Sequence, residues 1–248
     1  MKLIHNFKSP NFNRRKYNKI EFIIIHYTAL KNVNESIKFL CNKKNKVSSH
    51  YLISQNGEIY NLVSEKYRAW HAGVSYWASK TDINSISIGI ELDFSPNYKN
   101  NIYGTKLINS LIKLLKKIAK KYKINNHNIL GHSDIAPYRK IDPGVKFPWH
   151  TLKKNNLVFN PKIINFYLVF SLRKWFKLQN IRSKKSIMIF MLAYIGYDIS
   201  LGINKKSNFN LLLKNYQNHY LQRYSKKNLY KKTYKFIERH FCTLLLTK

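Results

Sequence analysis

The sequence predicts an α/β fold, a mixed central sheet flanked by helices and followed by a small all-helical C-terminal domain, on three observations. Phe22 to Tyr27 and Ser85 to Leu92 are near-continuous apolar, β-rich runs, the pattern of strands buried on both faces. Tyr103 to Tyr122 places Leu107, Ile108, Leu111, Ile112, Leu114, Leu115 and Ile118 at helical spacing with lysines between them, so strands and helices alternate along the chain. Beyond Asn160-Pro161 the only acidic residues are Asp198 and Glu238, and the remaining apolar segments all have a helical period.

Taken in order, residues 1–20 form a basic arm with turn residues and charge but no periodicity, expected on the surface. Residues 21–158 form the main domain. After the strand Phe22 to Tyr27, Asn34 is a candidate N-cap for a short amphipathic helix ending at Leu40. His50 to Ile53 and Ile59 to Val63 flank Asn56-Gly57, a strong hairpin signal that makes the sheet mixed. Tyr67 to Lys80 reads as an ordered, aromatic loop, and Asn128 to Leu130 as a short strand. Residues 159–248 form the helical domain, with segments Ile163 to Phe176, Ile187 to Tyr197, Phe209 to Tyr220 and Leu229 to Leu246. The longest apolar stretch is about half the twenty residues that a membrane helix needs, so no transmembrane segment is expected.

The chain carries 45 Lys and Arg against 11 Asp and Glu, a net charge of +34. Such charge suits nucleic acid, anionic lipid or the carboxylates of a cell-wall polymer. Because the lysines are spread through core and loop alike and no nucleic-acid motif is present, no specific nucleic-acid partner is expected. Cys41 and Cys242 stand far apart and outside any metal-knuckle spacing. The first residues lack a signal-peptide apolar stretch and a lipidation cysteine, which makes the cytoplasm the default expectation.

The chemistry concentrates in Gly131 to Gly144. There His132, Lys140 and Asp142 fall within a dozen residues, between a short strand and an Asp-Pro-Gly turn. Imidazole and carboxylate both suit zinc, and an open zinc site takes three protein ligands. His26, at the end of the first strand, is the third candidate, although a histidine on an apolar run is also often a satisfied core residue. Glu91 closes the apolar strand Ser87 to Leu92, where it is either a placed base or the first solvated residue.

Ile25-His26-Tyr27-Thr28-Ala29, Ser48-Ser49-His50-Tyr51-Leu52, Ala69-Trp70-His71-Ala72-Gly73, Ser87-Ile88-Gly89-Ile90-Glu91-Leu92 and the Gly131 to Gly144 stretch follow one another in an order that resembles the zinc-dependent N-acetylmuramoyl-L-alanine amidases. The two-domain layout is most similar to the bacterial members that carry an added peptidoglycan-binding-like domain. This resemblance implies Zn2+ held by His26, His132 and Asp142, with Glu91 as general base. It places the catalytic lysine two residues before the carboxylate ligand, at Lys140, and leaves Arg139 with Trp70 and His71 as substrate-binding candidates. It implies hydrolysis of the amide between N-acetylmuramic acid and L-alanine, with peptidoglycan or muropeptide fragments as partners, by a monomer. It also admits the cell envelope as an alternative compartment. A non-catalytic peptidoglycan-recognition module is the rival reading, and a nucleic-acid-binding protein a more distant one.

Overall fold

The computed structural model describes residues 2–98, 102–161, 166–222 and 229–247. Its eight strands are β1 (Leu3–Ile4), β2 (Phe12–Arg14), β3 (Phe22–Tyr27), β4 (Tyr51–Ile53), β5 (Ile59–Asn61), β6 (Tyr67–Ala69), β7 (Ser87–Leu92) and β8 (Ile129–Gly131). Six of them build one mixed sheet in the order β1-β5-β4-β7-β3-β8, parallel except for the β4–β5 hairpin. Gly57 turns that hairpin at φ +83°, a conformation that residues with a Cβ rarely adopt. The sheet is the α/β architecture that the sequence predicts.

The alternation of side chains along β3 explains why the sheet needs a layer on each face. Ile23 and Ile25 join Ile88 and Ile90 in a core closed by Leu107, Leu111, Leu114, Leu115 and Ile118 of α3 (Thr105–Tyr122). Phe22 and Ile24 point the other way, into a second core with Trp77, Leu130 and Ile135. That core is closed by the C-terminal helices α6 (Phe166–Leu178), α7 (Lys184–Ile195), α9 (Lys206–Tyr220) and α10 (Leu229–Leu245), through Phe176, Met191, Leu192, Phe209, Tyr216, Ile237 and Phe241. The helical segment is thus the second covering layer of the sheet. The start of the segment expected from Ile163 lies outside the described residues; its described part begins at Phe166.

Two local expectations are corrected. Helix α1 (Val33–Leu40) is capped by Asn32, whose side chain accepts from the Glu35 backbone N–H, and Asn34 lies inside the helix. The N-terminal arm is also built into the fold. β1 pairs with β5, β2 pairs with β6, and Arg15 reaches inward to donate to the carbonyls of Glu65, Asn84, Ser85 and Ser87 at 2.9–3.2 Å. Three of those carbonyls lie in the turn 84–87 that leads into β7 and one lies just before β6, so one guanidinium ties the arm to four points of the main chain.

Candidate active site

The parallel strands β3, β7 and β8 end at one edge of the sheet, the edge where open α/β sheets bind their ligands. In register, His26 of β3 stands beside Glu91 of β7, and Ile25 beside Gly131, so β8 delivers His132 immediately past its end. Residues 132–135 form the helical turn α4, and the Ser133 N–H donates to the Asp142 carbonyl at 2.9 Å. That bond folds the Asp-Pro-Gly turn back onto His132, and the Tyr103 hydroxyl holds the Pro143 carbonyl from the other side at 2.7 Å.

Three ligand atoms converge there. His26 Nδ1 lies 3.0 Å from His132 Nδ1 and 3.2 Å from Asp142 Oδ2, and His132 Nδ1 lies 3.1 Å from the same oxygen. Donors about 2.0–2.1 Å from a tetrahedral ion sit about 3.3 Å apart, so this triangle is close to one face of such a tetrahedron. All three residues are buried, and they are the one His/Cys/Asp/Glu cluster fit for a metal among the described residues. The site therefore fits a borderline divalent ion such as zinc on chemistry and on spacing. His132 Nε2 faces the Ala72 carbonyl at 3.1 Å, which can only accept, so the proton sits on Nε2 and the lone pair of Nδ1 is presented to the site. Burial and the neighbouring His132 push the His26 imidazole down to about 4. Burial alone would raise the Asp142 carboxyl, but His132 and His26 together hold it well below the usual carboxylate range.

Glu91 stands next to this triangle. Burial, with Asp142 adding to it and Lys140 opposing, pushes its carboxyl up to about 8. Its Oε2 is inaccessible and has no hydrogen-bond partner among the described residues, unusual for a carboxylate whose role is structural. Lys140 follows the turn closed by its own N–H on the Ala136 carbonyl, and it is near enough to act on the charges of both Glu91 and His26.

The structure separates the other expected site residues. Arg139 is exposed, and its Nη2 donates to the carbonyls of Ala72 (2.9 Å) and Val74 (2.7 Å), pinning the loop after β6. Trp70 turns its indole N–H to Asn13 of the arm. His71, expected to line the substrate, is instead buried behind His26, with Nδ1 3.0 Å from His26 Nε2. His50 accepts from the Gly89 N–H on Nδ1 and donates from Nε2 to the Tyr67 carbonyl, joining the start of β4 to β7 and β6.

One further residue of the same stretch carries no signal in the sequence. Asp134 is fully buried; its Oδ2 accepts from the Gly131 N–H and from His219 Nδ1, both at 2.7 Å, and its Oδ1 from the Tyr197 hydroxyl at 2.6 Å. His219 has no constellation in the sequence and reads there as ordinary. Tyr197 ends one of the apolar helical segments, and the two meet at Asp134 only in three dimensions.

A family model described as N-acetylmuramoyl-L-alanine amidase matches residues 16–145, more than half of the chain. The chain belongs to the N-acetylmuramoyl-L-alanine amidase family. Among curated amidases, AmiD of Escherichia coli is 36% identical over 200 residues, covering 74% of this chain and 68% of that one. The 1,6-anhydro-N-acetylmuramyl-L-alanine amidase AmpD of Haemophilus influenzae is 35% identical over 161 residues, covering 57% and 86%. Among solved structures, AmiD in complex with anhydro-N-acetylmuramic acid-L-Ala-D-gamma-Glu-L-Lys superposes with a TM-score of 0.72 at 29% identity, over 92% of this chain and 88% of that one. AmpDh3 of Pseudomonas aeruginosa in complex with anhydromuramic pentapeptide gives 0.70 at 29% identity, over 92% of each chain. Both likenesses extend through the C-terminal helices, so the family fold here includes them.

Proposed function

We propose that this amidase holds one Zn2+ on His26, His132 and Asp142 and hydrolyses the amide between the lactyl carboxyl of N-acetylmuramic acid and the L-alanine of a muropeptide stem. The observation that carries this reading is the triangle of three ligand atoms at 3.0–3.2 Å beside Glu91, whose buried Oε2 has no partner among the described residues. When bound, zinc supplies a Lewis acid that polarises an oxygen and makes water acidic enough to react near neutral pH.

The remaining work falls to the chain. Glu91 takes a proton from the attacking water and returns it to the departing α-amine of L-alanine as the C–N bond breaks. Burial raises its affinity for a proton in the metal-free chain, and a base that both accepts and releases serves best when poised near the working pH. The Lys140 ammonium offsets the negative charge that grows on the carbonyl oxygen, a contribution of about 2.7–4 kcal/mol for a comparable single donor. Arg139, exposed above the loop at 72–74, is the cation we assign to a stem-peptide carboxylate.

A complete ligand set beside a base favours hydrolysis over recognition alone. The test is metal analysis of the purified protein together with product identification from an anhydro-muropeptide, the kind of molecule bound in the two related complexes. One equivalent of zinc, loss of activity with chelator, and release of the free sugar acid and stem peptide are expected. A chain that binds the muropeptide intact and never cleaves it would overturn the assignment in favour of a recognition module.

A further inference from the structure

We propose that His71 is a positioning residue that fixes the tautomer of His26 through a hydrogen-bond chain anchored on a backbone carbonyl. The role rests on the metal-site reading above and follows from where the protons of three side chains can lie. Ser87 Oγ lies 2.6 Å from the Ile83 carbonyl and 3.1 Å from His71 Nε2. A carbonyl only accepts, so the single hydroxyl proton of Ser87 goes to Ile83, and toward His71 the serine oxygen can only accept. His71 Nε2 therefore carries a proton. A neutral imidazole has one, which leaves the lone pair on His71 Nδ1, facing His26 Nε2 at 3.0 Å. His26 accordingly carries its proton on Nε2, and its Nδ1 offers a lone pair to the triangle of ligand atoms.

The chain matters because a competing arrangement is close at hand. Asp142 Oδ2 stands 3.2 Å from His26 Nδ1, and a carboxylate that near would draw the proton to Nδ1, the atom a metal needs bare. His71 offers His26 an acceptor on the opposite side. The Ala72 carbonyl does the same for His132 directly, so the two histidine ligands reach one tautomer by different devices. The fold makes room for this one at a cost to its sheet. A Cβ at Gly89, in the middle of β7, would lie 2.4 Å from His71 Cγ, so a strand position that favours a large side chain carries none.

The experiment uses the full chain with two readouts: zinc dissociation constants by competition with a chromophoric chelator, and 15N shifts of the histidine rings in metal-free protein. His71→Phe keeps an aromatic ring and removes the acceptor; it should weaken zinc binding about 10- to 100-fold and move the His26 proton from Nε2 to Nδ1. His71→Asn places an amide oxygen near the Nδ1 position and should recover most of the affinity. Ser87→Ala, the mildest change, should give a smaller loss by freeing the proton of His71. Wild-type zinc affinity and an unmoved His26 proton in His71→Phe would overturn the proposal. Should that variant fail to fold, the same null result in Ser87→Ala overturns it. A wild-type chain that takes up no zinc would sink the proposed function instead, while the ring shifts of the metal-free protein still decide the role of His71.

Discussion

At the scale of single residues, the site is a contest between burial and charge. Burial and the neighbouring Asp142 favour the protonated form of Glu91, and Lys140 favours the ionised one. Glu91→Gln keeps size and removes the base, so turnover should drop about 10²- to 10⁴-fold with zinc content unchanged; undiminished turnover would remove Glu91 from the mechanism. The sign of the pH dependence follows from the same contest. A base must be ionised to act, so activity should rise with pH along the limb set by the ionisation of Glu91. Removing a nearby cation makes ionisation harder. In Lys140→Ala that limb should therefore move to higher pH while the plateau falls, and a rate profile in which it moves lower would contradict the placement of Lys140.

At the scale of elements, the arm shows how far pairing can outrun local signal. Arg15→Ala would strip four backbone carbonyls of one shared donor, and leaving buried acceptors unmet costs about 1–3 kcal/mol each at most sites. A loss of at least about 2 kcal/mol in urea unfolding is expected, and a loss below about 0.5 kcal/mol would mean that water replaces the guanidinium. Nothing in residues 1–20 announces this role: β1 has two residues and β2 three, too short for any alternation to register. The strands β3 and β7, by contrast, are legible because burial on both faces leaves unbroken apolar runs, and α3 because burial on one face leaves a helical stripe. Of the proposed ligands, His26 is legible near the end of such a strand and His132 directly after the short strand β8, while Asp142 is marked by its Asp-Pro-Gly turn. His71 is not, since its place behind His26 depends on the space left at Gly89, and spacing along the chain carries no trace of that.

At the scale of the whole molecule, the second core joins what the sequence divides near residue 159. A chain ending at Val158 would bare Phe22, Ile24, Trp77, Ile83, Ile86, Leu130 and Ile135 together. At about 1.5–3 kcal/mol per large buried side chain, the loss exceeds about 10 kcal/mol, comparable with the whole stability of a domain. That fragment should aggregate or lack a cooperative unfolding transition, and a soluble, zinc-retaining fragment would show that the helices are dispensable to the core. A gentler probe is Tyr197→Phe, which removes one hydrogen bond to a buried carboxylate and should cost about 1.5–3 kcal/mol by urea unfolding. The clamp on Asp134 also has a consequence in time. Chains are made from the N-terminus, at about 5–20 residues per second. His26, Glu91, His132 and Asp142 all leave the ribosome before Tyr197, Asn215 and His219, so the stretch that carries His132 acquires these partners only late in synthesis. A hydrolase assembled in that order has its catalytic parts in hand early and its final fastening late, and the nascent chain passes most of its synthesis with that loop unfastened.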